Sequence, residues 1–140
     1  MAIEYFTEDI DFCLQDQPKT TSWISSIIQS NNQKLGELSY IFCSDDYLLD
    51  INKDHLNHDY YTDIITFDNS EEEGIIESDI FISVDRVKEN AQTQSASFEL
   101  ELHRVMIHGI LHLLGFSDKT PAEQKLMREK EDACLSLLKN

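Results

Sequence analysis

The chain has 140 residues, 41% of them apolar and 27% charged, which is enough to bury a core as one domain spanning residues 1–140. Eleven Lys and Arg stand against twenty-seven Asp and Glu. The formal net charge of −16 excludes a broadly basic nucleic-acid-binding surface. Any contact with a polyanion must then rest on a local basic patch, on a metal ion or on partner proteins. Most of the acidity reads as a solvated surface. Cys13, Cys43 and Cys134 lie far apart, without metal-ligand spacing or a disulfide framework. They read as small apolar side chains in a reducing compartment. No apolar run follows a basic N-terminal region, and no stretch of about 18 apolar residues is free of charge. Neither a secretory signal nor a membrane span is expected, and the cytoplasm is the default.

In chain order, Ile3 to Phe6 reads as a short strand, and Asp16-Gln17-Pro18 as a loop. Thr20 or Thr21 can cap a helix to about Asn32, with Trp23, Ile24, Ile27 and Ile28 on one stripe. Asn31-Asn32 and Gly36 are expected to end it. Glu37 to Cys43 alternates, with Leu38, Tyr40 and Phe42 on one side and Ile41 and Cys43 on the other, as a strand does. Ser44-Asp45-Asp46 is an N-cap cluster for a helix ending near Leu56. Thr62 to Phe67 is strand-like by its β-branched content. Asn69 to Gly74 is an acidic turn, and Glu77 to Ser83 the next strand, so that the two can form a hairpin. Ser83 caps a helix to about Gln94, and the polar run Gln92 to Ser97 breaks it.

A buried helix is expected from about Phe98 to Leu114, because apolar residues surround it on nearly all sides. His108 and His112 fall at i and i+4 on one of its faces, a spacing that lets two imidazoles bind one metal ion. Gly115 supplies a helix stop, since glycine enters the left-handed conformation without steric cost. Asp118 then returns a carboxylate toward the same point. Two nitrogens, one oxygen and an open fourth position make the pattern of a catalytic zinc site. Gly109 stands where zinc proteases carry a glutamate base, which argues against that chemistry. His103 is out of step with His108 and reads as a surface or partner contact. His55 and His58 read as a solvated loop pair. Thr120-Pro121-Ala122-Glu123 is a capping box with proline at the first helical position. It opens a last helix to about Leu138, with Leu126, Met127, Ala133, Leu137 and Leu138 available to the core. There is no phosphate-cradling glycine loop and no nucleophile elbow.

The run His108-Gly109-Ile110-Leu111-His112-Leu113-Leu114-Gly115 resembles the signature of the YbeY family of bacterial endoribonucleases and rRNA maturation factors. That signature is His-Gly-x-Leu-His-Leu-x-Gly-Tyr-Asp-His, so Phe116 replaces its tyrosine, Ser117 its aspartate and Asp118 its third histidine. Thr62-Asp63-Ile64-Ile65-Thr66-Phe67 is similar to the family's Thr-Asp-Val-Leu-Ser-Phe, and Asp79-Ile80-Phe81-Ile82 to its Asp-Ile-x-Ile, with Ser78 at the preceding glycine. Glu123, Met127 and Glu131 follow the spacing of its terminal helix and read here as core and solvated faces. Leu56 stands where the family has an arginine implicated in RNA chemistry, with His58-Asp59 in place of Lys-Asp.

The resemblance implies an α+β fold: a small mixed β-sheet flanked by helices, zincin-like, with the metal helix buried in the middle. It implies one Zn²⁺ ion held by His108, His112 and Asp118, the extra negative charge making bound water less acidic than three histidines would. It further implies a zinc-dependent endoribonuclease cutting single-stranded RNA in 16S rRNA maturation and ribosome quality control. Its partners would be rRNA, the small ribosomal subunit and that subunit's assembly factors. The spacing offers no standard general base; Asp63 and His58, near the neighbouring strand, are the candidates. The competing expectation is a non-catalytic or weakly catalytic ribosome-assembly factor with a retained metal site, which Leu56 and the acidity favour. A zinc hydrolase of peptides or small amides ranks below both, given Gly109.

Overall fold

The computed structural model describes residues 3–138. Its elements run β1 (Ile3–Glu8), α1 (Gln17–Ser30), β2 (Lys34–Cys43), α2 (Asp45–Leu56), β3 (Ile64–Asp68), β4 (Ile75–Ser83), α3 (Val84–Thr93), α4 (Phe98–Leu113) and α5 (Pro121–Leu138). This is the order that the sequence pattern predicts. The sheet order is β1-β2-β4-β3, with β1 parallel to β2, β2 parallel to β4, and β3 antiparallel to β4 as the expected hairpin. The fold is α+β, a mixed sheet flanked by helices.

Alternation decides which residues face which layer. Tyr40 pairs with Ile80 and Phe42 with Ile82. These side chains point to the face that packs Ile24, Ile27 and Ile28 of α1, Met106, Ile107 and Ile110 of α4, and Met127 and Leu135 of α5. Cys43, Ile65, Phe67 and Phe81 point the other way and meet Leu48 and Ile51 of α2. Tyr40 is fully buried, and its hydroxyl donates to the Met106 carbonyl at 3.0 Å, which satisfies the polar tip and ties the sheet to α4.

Side-chain caps set the helix starts. Ser44, Ser83 and Ser97 each accept the backbone N–H three residues on, at 3.1 Å. Thr120 and Glu123 form the predicted reciprocal capping box, at 3.0 and 3.1 Å.

Four local expectations are corrected. α1 starts at Gln17, not Thr20, because Asp16 in a left-handed conformation accepts the Lys19 N–H and Pro18 suits a first turn. Gly36 lies inside β2, at its register irregularity against β4, where a Cβ would collide with the Glu77 side chain. In α5, Leu126, Ala133 and Leu137 are exposed, and the buried stripe is Met127, Glu131, Cys134 and Leu135. His103 is half-buried and not simply a surface contact: its ring packs edge-on against Trp23 at 5.7 Å, and burial lowers its pKa. Among the described residues, no helix is long and apolar enough to cross a membrane.

Candidate metal centre

The C-terminal end of α4 meets the edge strand β3 because of Gly109. A Cβ there would lie 3.0 Å from Ile64 Cδ1 and 3.3 Å from Thr66 Oγ1. The missing side chain lets the helix backbone approach β3. Gly109 is therefore a packing residue, and any side chain at its position would press on Ile64 and Thr66. This approach sets one face of the helix against the strand and leaves His108 and His112 at a cleft of about 690 Å³. Tyr60, Thr62, Asp63, Thr66, Asp68 and Asp118 also line that cleft.

After Leu113 the chain turns as the glycine predicts. Gly115 has φ of +104°, its N–H donates to the His112 carbonyl at 3.0 Å, and the Phe116 N–H to the Leu111 carbonyl at 3.0 Å. These two bonds are a Schellman stop. Phe116 then packs on the core, with the Lys130 ammonium 5.3 Å from its ring centre. The reversal carries Asp118 back over the histidines.

His108 Nε2 and His112 Nε2 face each other at 3.0 Å. Asp118 Oδ2 stands 3.3 Å from the first and 3.5 Å from the second. A tetrahedral ion with bonds of about 2.0–2.2 Å has ligand-to-ligand edges of roughly 3.3–3.6 Å. The two separations to Asp118 are of that size and the His108–His112 edge, at 3.0 Å, is slightly shorter, so the donors come close to the spacing of a small tetrahedral cation's ligands. They form a group that can hold a metal ion.

Behind the histidines lies a contact that the sequence pattern did not disclose. His108 Nδ1 donates to Glu131 Oε2 at 2.6 Å, and Arg104 donates to Glu131 Oε1 at 3.0 Å and to Asp132 Oδ1 at 2.7 Å. The Glu131 side chain is only 7% exposed. Its carboxylate fixes the His108 tautomer, leaving the Nε2 lone pair toward the cleft. Burial pulls the His108 pKa down, but the Glu131 hydrogen bond and the charges of Glu131, Asp118 and Asp63 outweigh it, and the net shift is upward. A signal existed in the sequence: Glu131 is an acid on the apolar stripe of α5, between Met127 and Cys134-Leu135.

Asp63 lines the cleft at the start of the β3 edge, and its carbonyl accepts the Ser83 N–H at 2.9 Å. Burial pushes its carboxyl above the usual value, against the pull of His108 and of the Asp63 and Ile64 backbone N–H groups. A second cavity of about 220 Å³ behind His108 is shared by Asp63, Glu101, Arg104 and Glu131. Glu101 Oε1 is buried there without a hydrogen-bond partner among the described residues. His58 does not line the cleft; its ring stacks on Tyr60 at 5.1 Å and bonds the Tyr60 hydroxyl through Nδ1 at 2.9 Å. Leu56 ends α2 and is 41% exposed.

The model of the family described as Endoribonuclease YbeY matches residues 3–139. The chain belongs to the YbeY family. Endoribonuclease YbeY of Cytophaga hutchinsonii is 56% identical over 137 residues, covering 98% of this chain and 96% of that protein. The Flavobacterium psychrophilum YbeY is 50% identical over 132 residues, covering 94% of each. A solution structure from Thermotoga maritima superposes with a TM-score of 0.68 at 27% identity, over 97% of this chain and 88% of that one. YbeY membership thus extends over the first third of the chain, where the sequence pattern alone matched only in element order.

Proposed function

We propose that this chain is a zinc-dependent endoribonuclease that cuts single-stranded RNA in the cytoplasm, in 16S rRNA maturation and ribosome quality control, on or near the small ribosomal subunit. The observation that carries this reading is the convergence of His108, His112 and Asp118 at the edge of an open cleft. The names of the relatives, each an endoribonuclease, support it. Two nitrogens and one carboxylate oxygen with an open fourth position suit Zn²⁺. When bound, such an ion supplies Lewis acidity toward a phosphoryl oxygen and neutralises developing charge.

The chain's own groups do the rest. Glu131 holds His108 in one tautomer and orientation, and Arg104 holds Glu131. Asp63 accepts the proton of the attacking hydroxyl at its carboxylate; its raised pKa makes it a better base than an exposed aspartate. His58 is the weaker candidate, since its Nδ1 is engaged by Tyr60.

One observation favours the second reading, an RNA-binding assembly factor without cleavage: none of the described residues lining the cleft is Lys or Arg. Incubating the metal-loaded protein with single-stranded RNA separates the two. Cleavage that disappears with chelator and in Asp118→Ala supports the nuclease. RNA bound but left intact supports the assembly factor. Cleavage unchanged by both treatments belongs to a contaminant.

A further inference from the structure

The cleft presents a difficulty for an RNA ligand. Asp63, Asp68 and Asp118 line it, no Lys or Arg among the described residues does, and the chain carries a net charge of −16. Phosphate pairing, the usual source of nucleic-acid affinity, is therefore weak at this place. Affinity without phosphate pairing comes from the faces of the bases.

Among the described residues, Tyr60 is the one aromatic residue lining the cleft besides His108 and His112, and it is 55% exposed. It is also tied to its neighbours. His58 stacks on it with an interplanar angle of 19°, and the tyrosine hydroxyl is bonded to His58 Nδ1. The buried Asn52 pins the backbone from α2: its Nδ2 donates to the Tyr60 carbonyl at 2.9 Å, and its carbonyl accepts the His58 N–H at 3.1 Å. Both rings of the pair remain exposed, so their stacking buries little apolar surface and adds little to the stability of the fold. Tyr61 differs: its hydroxyl bonds Asp46 at 3.1 Å and the Arg86 guanidinium sits 5.5 Å from its ring centre. Tyr61 is occupied by the protein, whereas Tyr60 is presented to the cleft.

We propose that Tyr60, backed by His58, is a stacking platform for one unpaired RNA base beside the metal centre. This rests on the nuclease reading for its ligand. An ordered tyrosine suits the role, because few rotamers are lost when a base lands on it. The platform selects single strands, since a paired base cannot offer its face.

The test is binding of a fluorescent 2′-O-methyl single-stranded octanucleotide, which resists cleavage, to the metal-loaded protein, read by anisotropy. Tyr60→Ala is expected to weaken binding by about tenfold or more, the scale of one lost stacked base. Tyr60→Phe keeps most of the affinity, and a duplex of the same sequence binds more weakly than the single strand. Metal content and thermal midpoint, measured on both variants, confirm an intact fold. Wild-type binding that Tyr60→Ala leaves within twofold overturns the platform while the nuclease reading stands. Equal affinity for duplex and single strand also overturns it. Tyr60-dependent binding with no cleavage of ordinary RNA supports the platform and removes the nuclease. A wild-type protein that binds no oligonucleotide overturns both.

Discussion

The two walls of the cleft are built on opposite terms. The α4–α5 wall carries its polar groups on buried scaffolding: Glu131 is nearly enclosed, it joins Arg104 to His108, and the helix beneath is part of the main core. The wall formed by residues 57–62 is mostly exposed and is held by a few hydrogen bonds from Asn52 and Asp46. The first wall seats the candidate ligand atoms on a packed base, as a metal ion demands. The second presents surface, as a ligand of variable sequence demands. The difference implies that substitutions in the first wall disturb metal and stability together. Those in the second disturb binding of the substrate and leave the metal in place.

The largest expected effect is at the ligands. His112→Ala should lose its stoichiometric metal, and one zinc per chain in the purified variant would remove His112 from the centre. Next come changes to Glu131. Glu131→Gln should reduce metal affinity by about 10- to 100-fold, measured by chelator competition, because the His108 partner is weakened while the shape is kept. Glu131→Ala should also lower stability by roughly 3 kcal/mol, since it leaves His108 and one arm of Arg104 without their buried partner. An unchanged metal affinity in both variants would dissolve the distinction between the walls.

Asp63 sits between the two. Its raised pKa means that the folded chain holds this proton more tightly than the unfolded chain does. Its contribution to stability is present below about 3.8, the ordinary value, and is lost as pH rises through the raised value. Asp63→Asn should therefore stabilise the metal-free protein progressively as pH rises from 4 to 7, while cleavage falls. Denaturant midpoints across that range check it, and a gain independent of pH would contradict the assigned cause. The smallest effect is expected at Thr120→Ala, which removes the cap of the helix carrying Glu131. It should cost about 1 kcal/mol of stability and leave metal content unchanged, sharpening the claim that the ion depends on Glu131 and not on α5 as a whole.

Local rules were enough to draw much of this molecule from its residues. The order of the elements, the caps at Ser44, Ser83 and Thr120, and the stop at Gly115 follow from preferences acting within a few residues. The convergence of His108, His112 and Asp118 is of the same kind, since one helical turn and one tight reversal create it. The start of α1 differs from expectation for a local reason, the left-handed Asp16 cap, whereas the limits of β2 and the buried stripe of α5 answer to longer-range packing. Gly36 and Gly109 are glycines because another strand or helix lies against them. Glu131 reaches His108 across 23 residues, and Trp23 meets His103 from a different helix. Such contacts depend on how whole elements pack, and no spacing along the chain records that. The sequence by itself determined which residues can meet an ion; the packing of α4 on β3 and α5 decided what stands behind them and what lies open in front.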